Sequence, residues 1–299
     1  VIVGPHYAGE NLVFIVGCPR SGTTWVQRLL SCHPQMHTGQ ESNLFSDFVG
    51  LPLRKWRNGL ALRERGGVGL ACYFTECEFR DLLQGFMRTL LQRMLEPLGP
   101  EDFFVDKTPG HALFLREITD LLPACRIIHV LRDPRDVVAS LLAASRSWAS
   151  ESVWAPGHAR DAADLWVRSV NSVRRFSRRA RPRQLLELRY EALHSSPLEA
   201  LGQVRDFIGL KWSEDEMQTA LEANRMMASS GDRLTQPIIP LAGQAALQSG
   251  PRVIDPEGFL RKGLPGSWKS DLSFTEKLWV WRVAGASAKE SGYQIGWLR

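Results

Sequence analysis

The 299-residue sequence has no apolar run of transmembrane length, no signal-peptide pattern and no Asn-x-Ser/Thr acceptor. A spanning helix needs about 20 consecutive apolar residues, so no membrane span is expected. Its five cysteines are scattered at Cys18, Cys32, Cys72, Cys77 and Cys125. An odd count without framework spacing points to reduced thiols in a reducing, cytoplasmic compartment. Cys72 and Cys77 have no second pair or histidine cluster beside them, so no metal site is expected. Internal repeats and coiled-coil heptads are also missing. A strong charge bias is missing too: the net charge is +5, which suits an anionic small ligand better than a nucleic acid. The chain begins at Val1 without a methionine, as expected of a segment excised from a longer protein, and residues 1–11 read as a short leader. What is present is 44% hydrophobic residues, enough for a core that needs neither disulfide nor metal.

One stretch organises the rest. Gly17-Cys18-Pro19-Arg20-Ser21-Gly22-Thr23-Thr24-Trp25 lies between the apolar run Leu12–Val16 and an amphipathic segment that begins at Trp25. The spacing predicts a buried strand, a glycine-bounded loop and a helix over 24–32, closed by Pro34. A loop of this kind gathers backbone N–H groups at the positive end of a helix dipole, which makes it a cradle for phosphate or sulfate esters. Gly-x4-Gly is also the spacing of a nucleoside-triphosphate loop, but Thr23-Thr24 stands where that loop carries Lys-Ser or Lys-Thr. The cation sits instead at Arg20, inside the loop.

Further along, Met36–Thr38 reads as a short strand ending near Glu41, a residue that fits either a ligand-facing corner or a surface cap. Residues 44–100 form a less regular, substrate-shaping insertion. Its apolar positions from Phe79 to Leu95 read as a core-facing helix stripe. Phe103–Val105 is another buried strand, delivering Asp106-Lys107-Thr108-Pro109-Gly110-His111. Pro109 opens a helix to about Leu122. Lys107 and His111 stand where charge stabilisation and proton transfer are needed, although a histidine is equally a structural residue there. Arg126–Leu131 is a third such strand. Asp133 caps and Pro134 starts the next helix, so Arg132 and Ser140 can reach one phosphate; the alternative is an Arg132–Asp136 ion pair.

A helix over 160–180 ends in a run of arginines from Arg174 to Arg183, read as a solvated face or as a surface for an acidic partner. The strand at 184–188 leads to Arg189-Tyr190-Glu191. Helices follow at about 197–208 and 213–223, then a candidate lid loop at 228–257. Arg261 and Lys262 before Gly263 make a second anion site, and a last helix spans about 274–290. These elements predict one α/β domain over 1–299. It is P-loop-like and three-layered, with a central parallel sheet of about four to five strands flanked by helices.

With these motifs assembled, the chain resembles the sulfotransferases that use 3′-phosphoadenosine 5′-phosphosulfate (PAPS), from about residue 12 to residue 270. Cys18–Trp25 is similar to that family's 5′-phosphosulfate loop, with Arg20 where cytosolic members often carry lysine. Leu131–Ser140 resembles its 3′-phosphate motif, and Arg261–Lys269 its C-terminal cofactor motif. The resemblance implies a donor site made of Arg20, Ser21, Gly22, Thr23, Thr24, Trp25, Arg132, Ser140, Tyr190, Arg261, Lys262 and Gly263, with Trp25 and Tyr190 at the adenine. It implies catalytic roles for Arg20 and Lys107 and no metal. For the base, Pro109 replaces the histidine of cytosolic members. His111 matches many bacterial relatives, and Glu41 matches the tyrosyl-protein branch. Glu41 is preferred, then His111.

The implied reaction moves a sulfuryl group from PAPS to a hydroxyl, less readily an amine, and releases 3′,5′-ADP (PAP). The acceptor is open: a small molecule, glycan, lipid or acyl chain on an acidic carrier protein, faced by Trp56, Trp148 and Trp154. Two other readings compete. One is a nucleotide kinase or NTPase with a variant loop, which requires a magnesium–triphosphate site. The other is a nucleotide-binding module without turnover. No nucleic-acid partner is expected.

Overall fold

In the computed structural model, which describes residues 7–63, 69–96, 98–152, 154–229 and 263–294, Leu12–Gly17 forms β1 with every residue buried. A strand buried on both faces needs partners on both edges, and β1 has them. It pairs in parallel with β3 (Phe103–Lys107) on one side and β4 (Arg126–Leu131) on the other. β2 (Met36–Thr38) pairs outside β3 and β5 (Leu185–Arg189) outside β4, all parallel, giving the order β2-β3-β1-β4-β5. The five-stranded parallel sheet and its flanking helices agree with the predicted α/β architecture. The chain leaves β1 toward one edge and β4 toward the other, so the C-terminal ends of these strands meet at a switch in winding direction. Open parallel sheets bind ligands at such switches.

Alternation along β1 builds the layers. Leu12, Phe14 and Val16 enter one core with Phe104, Phe45, Leu115 and Ile118. Val13 and Ile15 enter the other with Val26, Leu29, Leu201 and Val204. Burying one such side chain contributes roughly 1.5–3 kcal/mol, so these faces organise the domain without cross-links. The same alternation governs β3. Asp106 lies opposite Phe14 and Lys107 opposite Ile15, which sends the two charged side chains to opposite faces of the sheet.

Among the described residues the α-helices are α1 (Thr23–Leu30), α2 (Gly50–Arg63), α3 (Glu76–Leu95), α4 (Leu115–Leu121), α5 (Pro134–Ser145), α6 (Ala159–Ser177), α7 (Ala192–Ser195), α8 (Pro197–Ile208), α9 (Glu214–Ser229), α10 (Trp268–Asp271) and α11 (Phe274–Glu290). Asp133 and Pro134 begin α5 as expected: the Asp133 carboxylate accepts from the Arg135 N–H. A third cluster joins α5, α6 and α11 through Val138, Leu142, Trp166 and Val280. No helix among the described residues is long and apolar enough to cross a membrane.

Three local expectations are corrected. The helix from Pro109 to Leu122 is instead a 3-10 turn over Pro109–Leu113 followed by α4, broken at Phe114. The tighter turn seats the His111 ring between Phe14 and Phe45, at centroid distances of 6.0 and 5.5 Å. The stripe on α3 is only partly core: Met87, Leu91 and Leu95 are buried, whereas Leu82 and Phe86 are exposed. Trp56 does not face a ligand; it is buried and stacks on Phe79 at 5.1 Å with nearly parallel rings. Arg261 and Lys262 lie outside the described residues, as does the candidate lid apart from its first two positions, which end α9.

Candidate functional site

The loop after β1 is held in a conformation few side chains tolerate. Gly22, at the N-cap of α1, has φ +99°. A Cβ there would fall 2.2 Å from the Tyr190 ring, so only glycine fits. Arg20, a non-glycine residue, has φ +74°. Backbone in this region costs on the order of 1–3 kcal/mol and persists only where surrounding contacts impose it. Here they do. The Arg20 Nε donates to Ser140 Oγ on α5 at 3.1 Å, its carbonyl accepts from Arg132 Nη1 at 3.3 Å, and its guanidinium lies 5.6 Å from the Trp148 ring centroid. Cys18 plays no such part. It is buried in the α5–α6–α11 cluster, and burial pushes its thiol pKa up, away from reactivity.

Arg132, at the end of β4, is itself buried. Its guanidinium sits 4.1 Å from the centre of the Tyr190 ring, and Trp166 Nε1 donates to its carbonyl at 3.0 Å. Its Nε is buried with no hydrogen-bond partner among the described residues. A donor of this kind on a buried cation is one that an anionic oxygen would satisfy. Tyr190 donates its phenol proton to the Gly263 carbonyl at 2.6 Å, and burial raises the phenol pKa. Trp25, Tyr190 and His194 form a box of rings with centroids 4.8–5.5 Å apart.

Residues 266–268 are held in place by Asp136, not by sequence proximity. Its carboxylate accepts from the Gly266 and Trp268 N–H groups at 2.7 and 3.0 Å and from the Ser267 hydroxyl at 3.2 Å. The Arg132–Asp136 ion pair that the spacing allowed is therefore not made. Asp136 instead draws Gly263 to the same side of the sheet as Arg20, Arg132 and Ser140, all of which line one cavity of about 960 Å³.

Glu41 enters that cavity from the corner after β2. Gln27 fixes the approach by donating to Thr38 Oγ1 and to the Gly39 carbonyl. The Glu41 carboxylate pairs with Lys107 Nζ at 2.5 Å; the lysine side chain is only 7% exposed and the glutamate 44%. A buried ammonium needs such a partner. His111 is elsewhere. It is fully buried beneath the loop, its Nε2 accepts from the Phe45 N–H at 3.1 Å, and it does not line the cavity. Burial lowers its pKa, against the raising influence of Asp106, Glu41 and Asp47, and an Nε2 that accepts carries no proton.

Of the site residues expected from sequence, the structure thus brings Arg20, Gly22, Thr23, Thr24, Trp25, Glu41, Arg132, Ser140, Tyr190 and Gly263 to one cavity, with Lys107 paired to Glu41 and Ser21 buried beneath. It adds residues that sequence reasoning missed. Asp136 had a signal, its place inside Asp-Pro-Arg-Asp. His194, Arg28 and Asn224 line the cavity from α7, α1 and α9 and had none. No group of acidic, histidine or cysteine side chains suited to a metal ion occurs among the described residues.

Residues 12–214 match the model of the sulfotransferase family. The chain is 27% identical over 208 residues to a putative protein-tyrosine sulfotransferase of Caenorhabditis briggsae, covering 69% of this chain and 68% of that one. It spans 39–54% of the length of several other protein-tyrosine sulfotransferases it matches. Among solved structures it resembles the sulfotransferase domain from the curacin biosynthetic pathway, with a TM-score of 0.59, 20% identity and coverage of 96% and 99%. It also resembles a mouse sulfotransferase complexed with PAP, with a TM-score of 0.56, 16% identity and coverage of 98% and 92%. At these identities the structural likeness speaks for a common fold.

Proposed function

The chain belongs to the sulfotransferase family, and we propose that it transfers a sulfuryl group from PAPS to the hydroxyl of an acceptor, leaving PAP. The observation that carries this reading is the convergence of the loop after β1, the end of β4 and the Gly263 turn on one cavity, with a buried arginine whose Nε has no hydrogen-bond partner among the described residues.

The donor fits the residues present. Ser21, Gly22, Thr23 and Thr24, at the positive end of α1, would hold the 5′-phosphosulfate. Arg132 and Ser140 would hold the 3′-phosphate, together with Arg261 and Lys262, and Trp25 and Tyr190 the adenine. The donor supplies the sulfuryl group, whose bond to phosphate breaks, the electron pair leaving with phosphate, as its bond to the acceptor oxygen forms. Everything else falls to the chain. Arg20 and Lys107 stabilise the charge that grows on the sulfuryl and leaving oxygens. Glu41 takes the acceptor's proton, because it reaches the cavity and His111 does not. Trp148 and Trp154, with ring centroids 5.5 Å apart, offer an apolar wall for the acceptor. None of the five cysteines forms a disulfide, which fits function in a reducing compartment such as the cytoplasm.

The test is transfer of labelled sulfur from PAPS to a panel of hydroxylated acceptors by the wild-type chain and by Glu41→Gln. The expected result is transfer by the wild type, a fall in kcat of roughly 10²–10⁴-fold in the variant, and unchanged binding of PAP. Absence of both PAP binding and transfer in the wild type sinks the reading.

A further inference from the structure

Asp106 lies one residue before Lys107, is buried, and plays no part in the reaction outlined above. Its carboxylate is occupied twice. Ser42 Oγ donates to Oδ2, and Thr108 Oγ1 donates to Oδ1 at 2.7 Å. Each hydroxyl in turn accepts a backbone N–H from the segment that follows Glu41. Thr108 Oγ1 accepts from Ser42 N at 3.1 Å, and Ser42 Oγ accepts from Leu44 N at 3.1 Å. The neighbouring His111 Nε2 accepts a third, from Phe45 N. Because that nitrogen accepts, the proton of the neutral ring is on Nδ1, the nitrogen 3.9 Å from Asp106 Oδ2. Within this clamped segment Asn43 has φ +48°, the left-handed conformation.

The polarity of this network is one-directional. An ionised carboxylate only accepts, so it fixes the direction of both hydroxyl protons and leaves their lone pairs for the loop's N–H groups. From this geometry we infer that Asp106 is a positioning residue. It orders residues 42–45 so that Glu41, the residue before them, is presented to Lys107 and the cavity. The inference rests on the proposed role of Glu41 but is read independently of it. An amide in place of the carboxylate is nearly isosteric and reverses one of the bonds. Its NH2 points at a hydroxyl whose own proton then has no acceptor in a buried site. Thr108→Val removes one relay arm, and Thr108→Ser keeps it.

The experiment compares the wild-type chain with Asp106→Asn, Thr108→Val and Thr108→Ser by amide hydrogen exchange, PAP binding and kinetics with PAPS. Asp106→Asn and Thr108→Val should speed exchange of the 42–45 amides at least tenfold while the β1 and β4 amides stay protected. Both should lower kcat at least tenfold, with PAP affinity within about twofold of the wild type. Thr108→Ser should return exchange and kcat to wild-type values. If Asp106→Asn does not fold, the Thr108 pair decides alone. Unchanged exchange at 42–45, faster exchange without loss of kcat, or equal loss in Thr108→Val and Thr108→Ser overturns the inference. Should the wild type transfer no sulfur, the functional reading fails, and the exchange result still decides whether Asp106 orders the loop.

Discussion

Arg132 Nη1 donates to the main-chain carbonyl of Arg20 at 3.3 Å, so the end of β4 is tied to the strained residue of the loop after β1. The bond joins two stretches 112 positions apart, and each supplies a cation to the same cavity. Two guanidinium groups brought together in a partly desolvated place repel each other. The arrangement holds because Arg20 is engaged by Ser140 and Trp148, and Arg132 by the Tyr190 ring. A polyanion entering there would be met by charges already positioned, with little left to order.

The first prediction follows from that buried guanidinium. Replacing Arg132 by Gln keeps much of the side chain's volume but removes the charge proposed to meet the donor's 3′-phosphate. A charge-assisted hydrogen bond is worth about 1.5–3 kcal/mol, so the dissociation constant for PAP should rise about tenfold to a hundredfold. Calorimetric titration checks it. Unaltered PAP affinity would remove Arg132 from the donor site.

The second concerns Gly22. Alanine there would adopt φ +99° with its Cβ 2.2 Å from Tyr190 Cδ2. The backbone conformation alone costs an L-residue roughly 1–2 kcal/mol. Moving the ring also breaks its bond to the Gly263 carbonyl and its contact with Arg132. Gly22→Ala should therefore lower the melting temperature and weaken PAP binding together. Gly157→Ala, where an added Cβ meets nothing within 4 Å, should leave both near wild type. Thermal denaturation with and without PAP separates the two effects.

Much of this site was legible in the residues because its parts announce themselves locally. Apolar runs between turn residues marked β1, β3 and β4. Gly22 and Arg20 marked the loop, and Asp133-Pro134 marked the start of α5. What stayed hidden depended on contacts across long sequence distances. Asp136 could satisfy Arg132 or the 266–268 turn, and only the fold chooses the turn. Trp56 could line a pocket or stack in the core, and the partner that decides, Phe79, lies on another helix. His111 stands in a motif that suits an acid–base residue, yet the 3-10 turn that carries it points the ring inward. Periodicity cannot distinguish that turn from the first turn of a helix.

His111 also gives a prediction about pH. Burial holds its pKa below the ordinary value, and the charged groups facing it are Asp106, Glu41 and Asp47, with the Phe14 and Phe45 rings packed around. A depressed pKa means that the unfolded chain binds a proton, at about pH 6.5, before the folded one does. Stability therefore rises with pH wherever the unfolded state holds more protons. The contribution is fully present above about pH 6.5 and is lost as pH falls from there toward the folded value, with a slope of up to about 1.4 kcal/mol per pH unit for one proton. His111→Gln can still offer an acceptor to the Phe45 N–H but does not titrate. Denaturant unfolding of both proteins at pH 7.5, 6.5, 5.5 and 5.0 should show the wild type losing stability faster than the variant below pH 6.5, with parallel behaviour above it. Equal slopes throughout would mean that the folded imidazole takes up its proton at the same pH as the unfolded one, and so is protonated at pH 5.0. The Phe45 N–H would then face a donor instead of an acceptor, contrary to the geometry at 3.1 Å.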